Sequence, residues 1–489
     1  MLPFTIEKNS QFGRFAVATH NIEAGSFLFD EIPFAIGPNI RTYCCCLECY
    51  CPVDGTASGT RCENCSWPLC NECSKLSEFS AHKRECEIFR EAKCKFFNLP
   101  DANATCMQLD CITPLRVLLE REINMERWKN EVEPMEDHRE KRINSNAWKE
   151  DQQNIVGYLL GPCKLGQRGI TAELIHKVIG VLEVNAFEAK TLKGTFVRCL
   201  YPRLAILSHS CTPNTTHAIH PSDNYSLKVR ATVAIEKGSQ LFSCYTYTQK
   251  GTLDRQQHLM EGKYFQCHCE RCLDPTELGT HFSSMKCSSC LFGDVLSSNP
   301  LDSDANWICN KCSQENSAES IKEMLKALQG EIDNANSIEF LENSLEEYEH
   351  LLNPNHYIMT SMKNSLIDAY GHINGYMLHE MPDILLKRKI ELCDELLAIL
   401  DVFERGMTRA RAMILYELHT PIVLYAKSQF EIGNSTKLKY LKQLENAREI
   451  LNESREILEW EDENVCMIIW GARKSQENLE KLIASLKCE

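Results

Sequence analysis

Residues 3–37 alternate apolar and polar side chains, with Gly13 and Gly25 between the runs, and this two-residue period predicts β-strands. From about residue 113 to 182 the period lengthens. "PLRVLLEREI" and "TAELIHKVIGVLEV" place apolar residues three and four apart, which predicts helices. Between them "NEVEPMEDHREKRINSNAWKEDQQN" is almost wholly polar and predicts an exposed helix and loop. Strands return with "TTHAIH", "YSLKVRATVAI" and "SQLFSCYT". From about residue 319 onward the pattern is helical throughout, as in "FLENSLEEYEHLL", "RARAMILYELHTPIVLYA" and "LKYLKQLENAREILNESREILEW". The stripes are separated by breakers such as "LNPNH" and "EIGNST", and the pairs look like stacked helix hairpins of the tetratricopeptide type. Their Leu and Tyr stripes predict core before binding surface.

Composition narrows the class. A chain of 489 residues exceeds one ordinary core, so about two to four domains are expected. Hydrophobic content of 43% and charged content of 25% are those of a globular protein, and no apolar run is long enough for a membrane span. "MLPFTIEKNS" has neither a basic start nor an apolar signal core, which predicts an intracellular protein of nucleus or cytoplasm. The net charge is −15, and residues 319–489 carry 19 Lys and Arg against 30 Asp and Glu, a balance of −11. Such a surface argues against direct nucleic-acid binding and suits a basic partner such as a Lys-rich tail; a solvated helical face is the plainer reading.

Cysteine changes the picture most. There are 27, mostly between 44 and 312, and in a reducing compartment that density means metal. The first group contains Cys46-x2-Cys49, Cys62-x2-Cys65, Cys70-x2-Cys73 and His82-x3-Cys86, enough ligands for two tetrahedral zinc sites. The favoured wiring is interleaved, with Cys46, Cys49, Cys70 and Cys73 on one ion and Cys62, Cys65, His82 and Cys86 on the other. Spacing leaves sequential wiring open, and Cys44, Cys45 and Cys51 crowd the first pair. With so little aliphatic sequence of its own, this module is expected to take most of its folding free energy from metal. The second group, "KYFQCHCERC", offers Cys267, Cys269 and Cys272 and lacks a fourth ligand nearby; Cys211 in "LSHSCTPNTTH" is the candidate. The third, Cys287-x2-Cys290 with Cys309-x2-Cys312, has the spacing of a zinc ribbon.

The order of these motifs, with "SHSCTPN", then "CYTYT", then "CHCERC" following the two-zinc module, resembles the SET- and MYND-domain (SMYD) protein lysine methyltransferases, over essentially the whole chain. The ribbon is similar to that of an arthropod branch of the family. Gly13 and Arg14 in "QFGRFAVATHNIEAGSFLF" match the family's cofactor hairpin, while Phe15 replaces its second glycine. Asn185 and Phe187 in "LEVNAFEA" match the Asn that precedes an aromatic. Residues 208–214 match "NHSCxPN", with Ser208 in place of Asn, and "GSQLFSCY" places the catalytic-type tyrosine at Tyr245. Phe265 stands where the family stacks adenine.

The resemblance implies an α+β fold: a SET β-fold with an inserted MYND zinc module, a post-SET zinc region and an all-helical C-terminal lobe. It divides the chain into an N-terminal SET part (1–43), a MYND finger (44–90), a helical SET insertion (91–184), the core SET domain (185–250), a post-SET site with ribbon (251–316) and a helical C-terminal domain (317–489). It implies S-adenosylmethionine as methyl donor and zinc at four sites: two in the MYND module, one post-SET, one in the ribbon. Tyr245 would be catalytic. Arg14, Asn185, Ser208, His209, Tyr245 and Phe265 would bind the donor. The partners implied are a protein lysine substrate, histone or not, and a Pro-rich peptide at the MYND module. The alternative reading is a SET–MYND scaffold for protein–protein interaction whose catalytic lobe has decayed, a reading favoured by Phe15 and Ser208.

Overall fold

The computed structural model describes residues 2–9, 12–334 and 337–488. The N-terminal alternation forms an antiparallel hairpin, Phe4–Asn9 against Gly13–Ala18. Gly13 has φ +66°, a backbone region that suits glycine. Two three-stranded antiparallel sheets follow from strands far apart in sequence. In one, Ser226–Ala231 lies between Phe27–Glu31 and Thr215–His220. In the other, Phe196–Leu200 lies between Ala35–Pro38 and Ala186–Lys190. Phe29, Val197, Leu227 and Val229 are buried between these elements.

"SQLFSCYT" does not form a full strand. Phe242–Ser243 pairs in parallel with Ser208–His209, and Ser239–Leu241 makes a short antiparallel bridge to Ala16–Ala18. Side chains complete the hold: Asn214 donates to Gln240 O at 2.9 Å and accepts from Phe242 N at 2.7 Å, and Thr215 Oγ1 donates to Phe242 O at 2.7 Å. A short stretch is thereby fixed without a long ladder, which leaves the backbone after Ser243 free to turn into the site.

The cysteine-rich module is not starved of core. Trp67 stacks on Phe89 with ring centres 4.0 Å apart, and its Nε1 donates to Cys94 O at 2.9 Å. Leu47, Leu69 and Ile88 are buried in the same cluster as Ile112, Leu115 and Val181 of the two long helices Ile112–Ile123 and Ala172–Asn185. The module borrows a core that its own sequence lacks, so metal is not its sole source of stability. A buried charge network also fastens it. Arg116 donates from Nε and Nη2 to Glu85, from Nη1 to Tyr50 Oη at 2.7 Å, and from Nη2 to Leu47 O at 2.6 Å.

The polar interval before Ala172 is helix and loop as predicted, with short helices at Arg139–Arg142 and Asn146–Asp151, and most of its residues are exposed or half-buried. Met135 and Arg142 are buried, because the Arg142 guanidinium reaches Glu183 at 2.6 Å and Asp151 at 3.2 Å. Charges buried in pairs do not show in a hydropathy pattern.

Residues 285–316 form a four-stranded antiparallel ribbon. Beyond it lie, among the described residues, seven helices: Ala318–Asp333, Ile338–Tyr348, Tyr357–Ala369, Asp383–Phe403, Arg409–Glu431, Lys437–Leu458 and Ile468–Cys488. The last four pack in sequence order, each against the next. "LNPNH" and "EIGNST" both fall between helices, whereas Pro421 sits inside Arg409–Glu431. Among the described residues, no helix is long and apolar enough to cross a membrane.

Candidate active site

Four sets of donors converge, each with its ligand atoms within 4.8 Å of one another: Cys46, Cys49, Cys70, Cys73; Cys62, Cys65, His82, Cys86; Cys211, Cys267, Cys269, Cys272; and Cys287, Cys290, Cys309, Cys312. Each offers the four soft donors of a closed tetrahedral Zn²⁺ site. In the second set His82 Nε2 lies 3.2 Å from Cys65 Sγ, while its Nδ1 lies 3.0 Å from Glu85. A carboxylate behind a ligating imidazole fixes its tautomer and orientation. Cys51 stands beside the first set, its Sγ 3.4 Å from that of Cys49.

The third set assembles the site. Cys211 Sγ lies 3.5 Å from Cys272 Sγ across 61 residues of chain. Arg255 donates to Cys211 Sγ at 3.2 Å and to Cys272 Sγ at 3.5 Å. Glu277 Oε2 accepts from both Arg255 and Arg271 at 2.8 Å, with all three side chains buried. Arg271 also donates to Thr248 O at 2.7 Å and packs over the Phe403 ring, which belongs to a C-terminal helix. Burial alone would raise the Glu277 pKa, but the two guanidiniums outweigh it and hold it down to about 2, from an ordinary 4.5. A depressed carboxyl stabilises the fold above its unfolded pKa. That contribution should therefore disappear as pH falls from about 4.5 towards about 2, which is readable in the acid limb of a stability profile. Glu277→Ala leaves two buried cations facing each other and should cost about 3–5 kcal/mol in denaturant unfolding.

Above this anchor lies an open cleft of about 1010 Å³, at the upper end of ligand-site sizes. Every residue assigned from the resemblance reaches it: Arg14, Asn185, Ser208, His209, Tyr245 and Phe265. Tyr245 N donates to His209 Nδ1 at 3.0 Å, and His209 Nε2 lies 3.3 Å from Cys211 Sγ. An accepting Nδ1 places the proton on Nε2, facing the sulfur. Burial lowers the His209 pKa to about 4, so the ring is neutral. Both ring nitrogens are engaged within the protein, so His209 braces Tyr245 against the thiolates and leaves no imidazole nitrogen for a bound molecule.

Tyr245 Oη donates to Leu207 O at 2.5 Å, and burial raises its pKa, so it remains a protonated donor. Its neighbour Tyr247 also borders the cleft but is 66% exposed. Phe265 stands edge-on to Tyr245 at 6.5 Å and 5.9 Å from His209. Asn185 ends its helix, with Nδ2 donating to Glu136 O and Val181 O. Arg14 donates weakly to Glu131 O, at 3.4 Å. Ser208 Oγ is buried and has no partner. Phe15 is buried beside Phe12 and lies off the cleft, so the lost glycine is absorbed by packing.

Other parts of the wall carry no sequence signal. Met135, Glu136 and His138 come from the polar interval, and Lys263 and His258 from the helix Thr252–Lys263. Only Lys263, two positions before Phe265, stood close to a motif.

The SET domain family model matches residues 13–246, the stretch that holds most of the cleft's residues. Several curated proteins are similar to the chain. The SET domain-containing protein SmydA-8, isoform A, of Drosophila melanogaster is 31% identical over 321 residues, covering 63% of this chain and 64% of that one. The SET domain and MYND-type zinc finger protein 6 of Schizosaccharomyces pombe is 27% identical, covering 54% and 50%. The N-lysine methyltransferase SMYD2 of Gallus gallus is 25% identical, covering 46% and 50%. The chain thus spans less than two thirds of the length of each of these relatives.

Proposed function

We propose that the chain transfers a methyl group from S-adenosylmethionine to lysine side chains of a protein substrate. The observation that carries this reading is the cleft in which Ser208, Tyr245 and Phe265 meet, braced through His209 on the Cys211 metal set. The cleft suits the donor chemically: a buried hydroxyl without a partner at Ser208 awaits a polar group, and Phe265 offers an aromatic face for the adenine. Asn185 and Arg14 would stand at the amino-acid end.

The bound donor supplies an electrophilic methyl on a sulfonium sulfur. The rest falls to this chain. Methyl transfer needs the acceptor nitrogen aligned with the methyl, and alignment is the largest gain a protein can give such a displacement. Tyr245, held at its amide by His209 and at its hydroxyl by Leu207 O, cannot swing and so sets one wall of the acceptor path. A lysine entering between Tyr245 and Phe265 leaves water behind, which favours its neutral form. The acidic helical lobe favours a basic substrate segment, and the MYND-like module is assigned a Pro-rich peptide partner.

Calorimetry with S-adenosylmethionine, followed by methyl transfer to a lysine peptide array, tests the reading. No heat at millimolar donor, or binding without transfer to any peptide, would favour the scaffold instead. Ser208→Ala should weaken donor binding by about 0.5–1.5 kcal/mol, the net value of one hydrogen bond, with unchanged melting.

A further inference from the structure

Lys263 closes the helix Thr252–Lys263 and lines the cleft. Its Nζ donates to Val184 O at 2.5 Å and stands 5.8 Å from the centre of the Tyr245 ring. Val184 precedes Asn185, and Phe265 lies two residues beyond Lys263. The amine therefore sits among the side chains assigned to the donor and to catalysis. A carbonyl orients it and an aromatic face borders it. Burial lowers its pKa against the opposing pull of Glu183. Glu183 itself is tied to Arg142 at 2.6 Å.

We propose that Lys263 is an internal methyl acceptor, so that the protein modifies itself in its own cleft. The proposal rests on the methyltransferase reading. The lone pair of neutral Nζ forms the new N–C bond to the donor's methyl. The C–S bond breaks with its electron pair passing to sulfur, leaving S-adenosylhomocysteine, and the alkylammonium formed can release its proton to solvent. A first methyl leaves N–H groups on Nζ, so the bond to Val184 O can survive the modification. The plain alternative is a tether: Lys263 would only tie its helix to the end of the helix Ala172–Asn185 and stay unmodified.

The experiment incubates the full zinc-loaded chain with S-adenosylmethionine and follows intact mass, with peptide mapping. The expected result is a gain of one or more CH2 units located on Lys263, at a rate independent of protein concentration. Lys263→Arg, which keeps a cation at the position but removes the acceptor amine, should lose the gain. Donor binding without any mass gain would overturn the proposal. So would a gain mapped to another lysine, or a rate rising with protein concentration, which would mean transfer between copies. If free peptides are methylated while Lys263 stays unmodified, the methyltransferase reading stands and this inference alone falls. If the wild-type chain gives no binding heat, both fall. The wild-type mapping decides the matter even if the variant folds poorly.

Discussion

Tyr245→Phe is expected to lower methyl transfer by about 10²-fold, the cost of a small misplacement once the hydroxyl that ties the ring to Leu207 O is gone, while donor affinity changes little. The split follows from how the residue is held. Its backbone N–H, not its hydroxyl, carries the bond to His209, so the variant keeps the brace to the metal set. Its ring keeps the contact with Phe265. Only the hydroxyl is lost, and burial keeps that hydroxyl protonated in the parent, so it acts as a donor and not as a base. Single-turnover transfer read beside calorimetry separates the two quantities. Full activity in the variant would remove Tyr245 from the mechanism, and an equal loss in both would make it a binding residue.

Cys211→Ser should release one equivalent of zinc and take donor binding with it. Three of the four thiols remain close to one another on residues 267–272, but the fourth is the one that reaches in from the SET core. Losing a ligand should weaken the metal by more than the about 10–100-fold that follows loss of an outer partner. The consequences spread because the same sulfur accepts from Arg255 and faces His209 Nε2. Phe265 precedes Cys267 closely and would lose its place over the cleft. Metal analysis reads the first effect and calorimetry the second. Unchanged stoichiometry would show that Cys211 is no ligand, and the account of the cleft would fail with it.

Much of this was legible in order along the chain. CxxC spacing named the ligand pairs, because thiolates that close along the chain can turn onto one ion wherever they occur; which pairs share an ion, the interleaved choice, shows only in the folded chain. Periodicity placed the long helices, because an amphipathic stripe must meet a core. Local pattern failed where a segment takes its stability from elsewhere. "SQLFSCYT" reads as one strand yet is divided between a bridge to Ala16–Ala18 and a short parallel pairing with Ser208–His209, with Asn214 and Thr215 completing the hold. The polar interval reads as solvent-exposed yet buries Arg142 between two carboxylates and walls the cleft with Glu136 and His138. The zinc module looks coreless until Trp67 and Phe89 meet the helices of the insertion.

The sequence by itself determined which residues could bind metal and which helices would form, since spacing and period are properties of neighbours along a chain; that Tyr245 would be catalytic is what the family resemblance implies. Only the tertiary structure decided that His209 spends both ring nitrogens on Tyr245 and Cys211, that Glu277 joins two buried arginines beneath the site, and that the amine of Lys263 enters the cleft. Those are contacts between segments tens of residues apart, set by the direction of side chains once the sheets and helices have packed, and no local pattern encodes a direction.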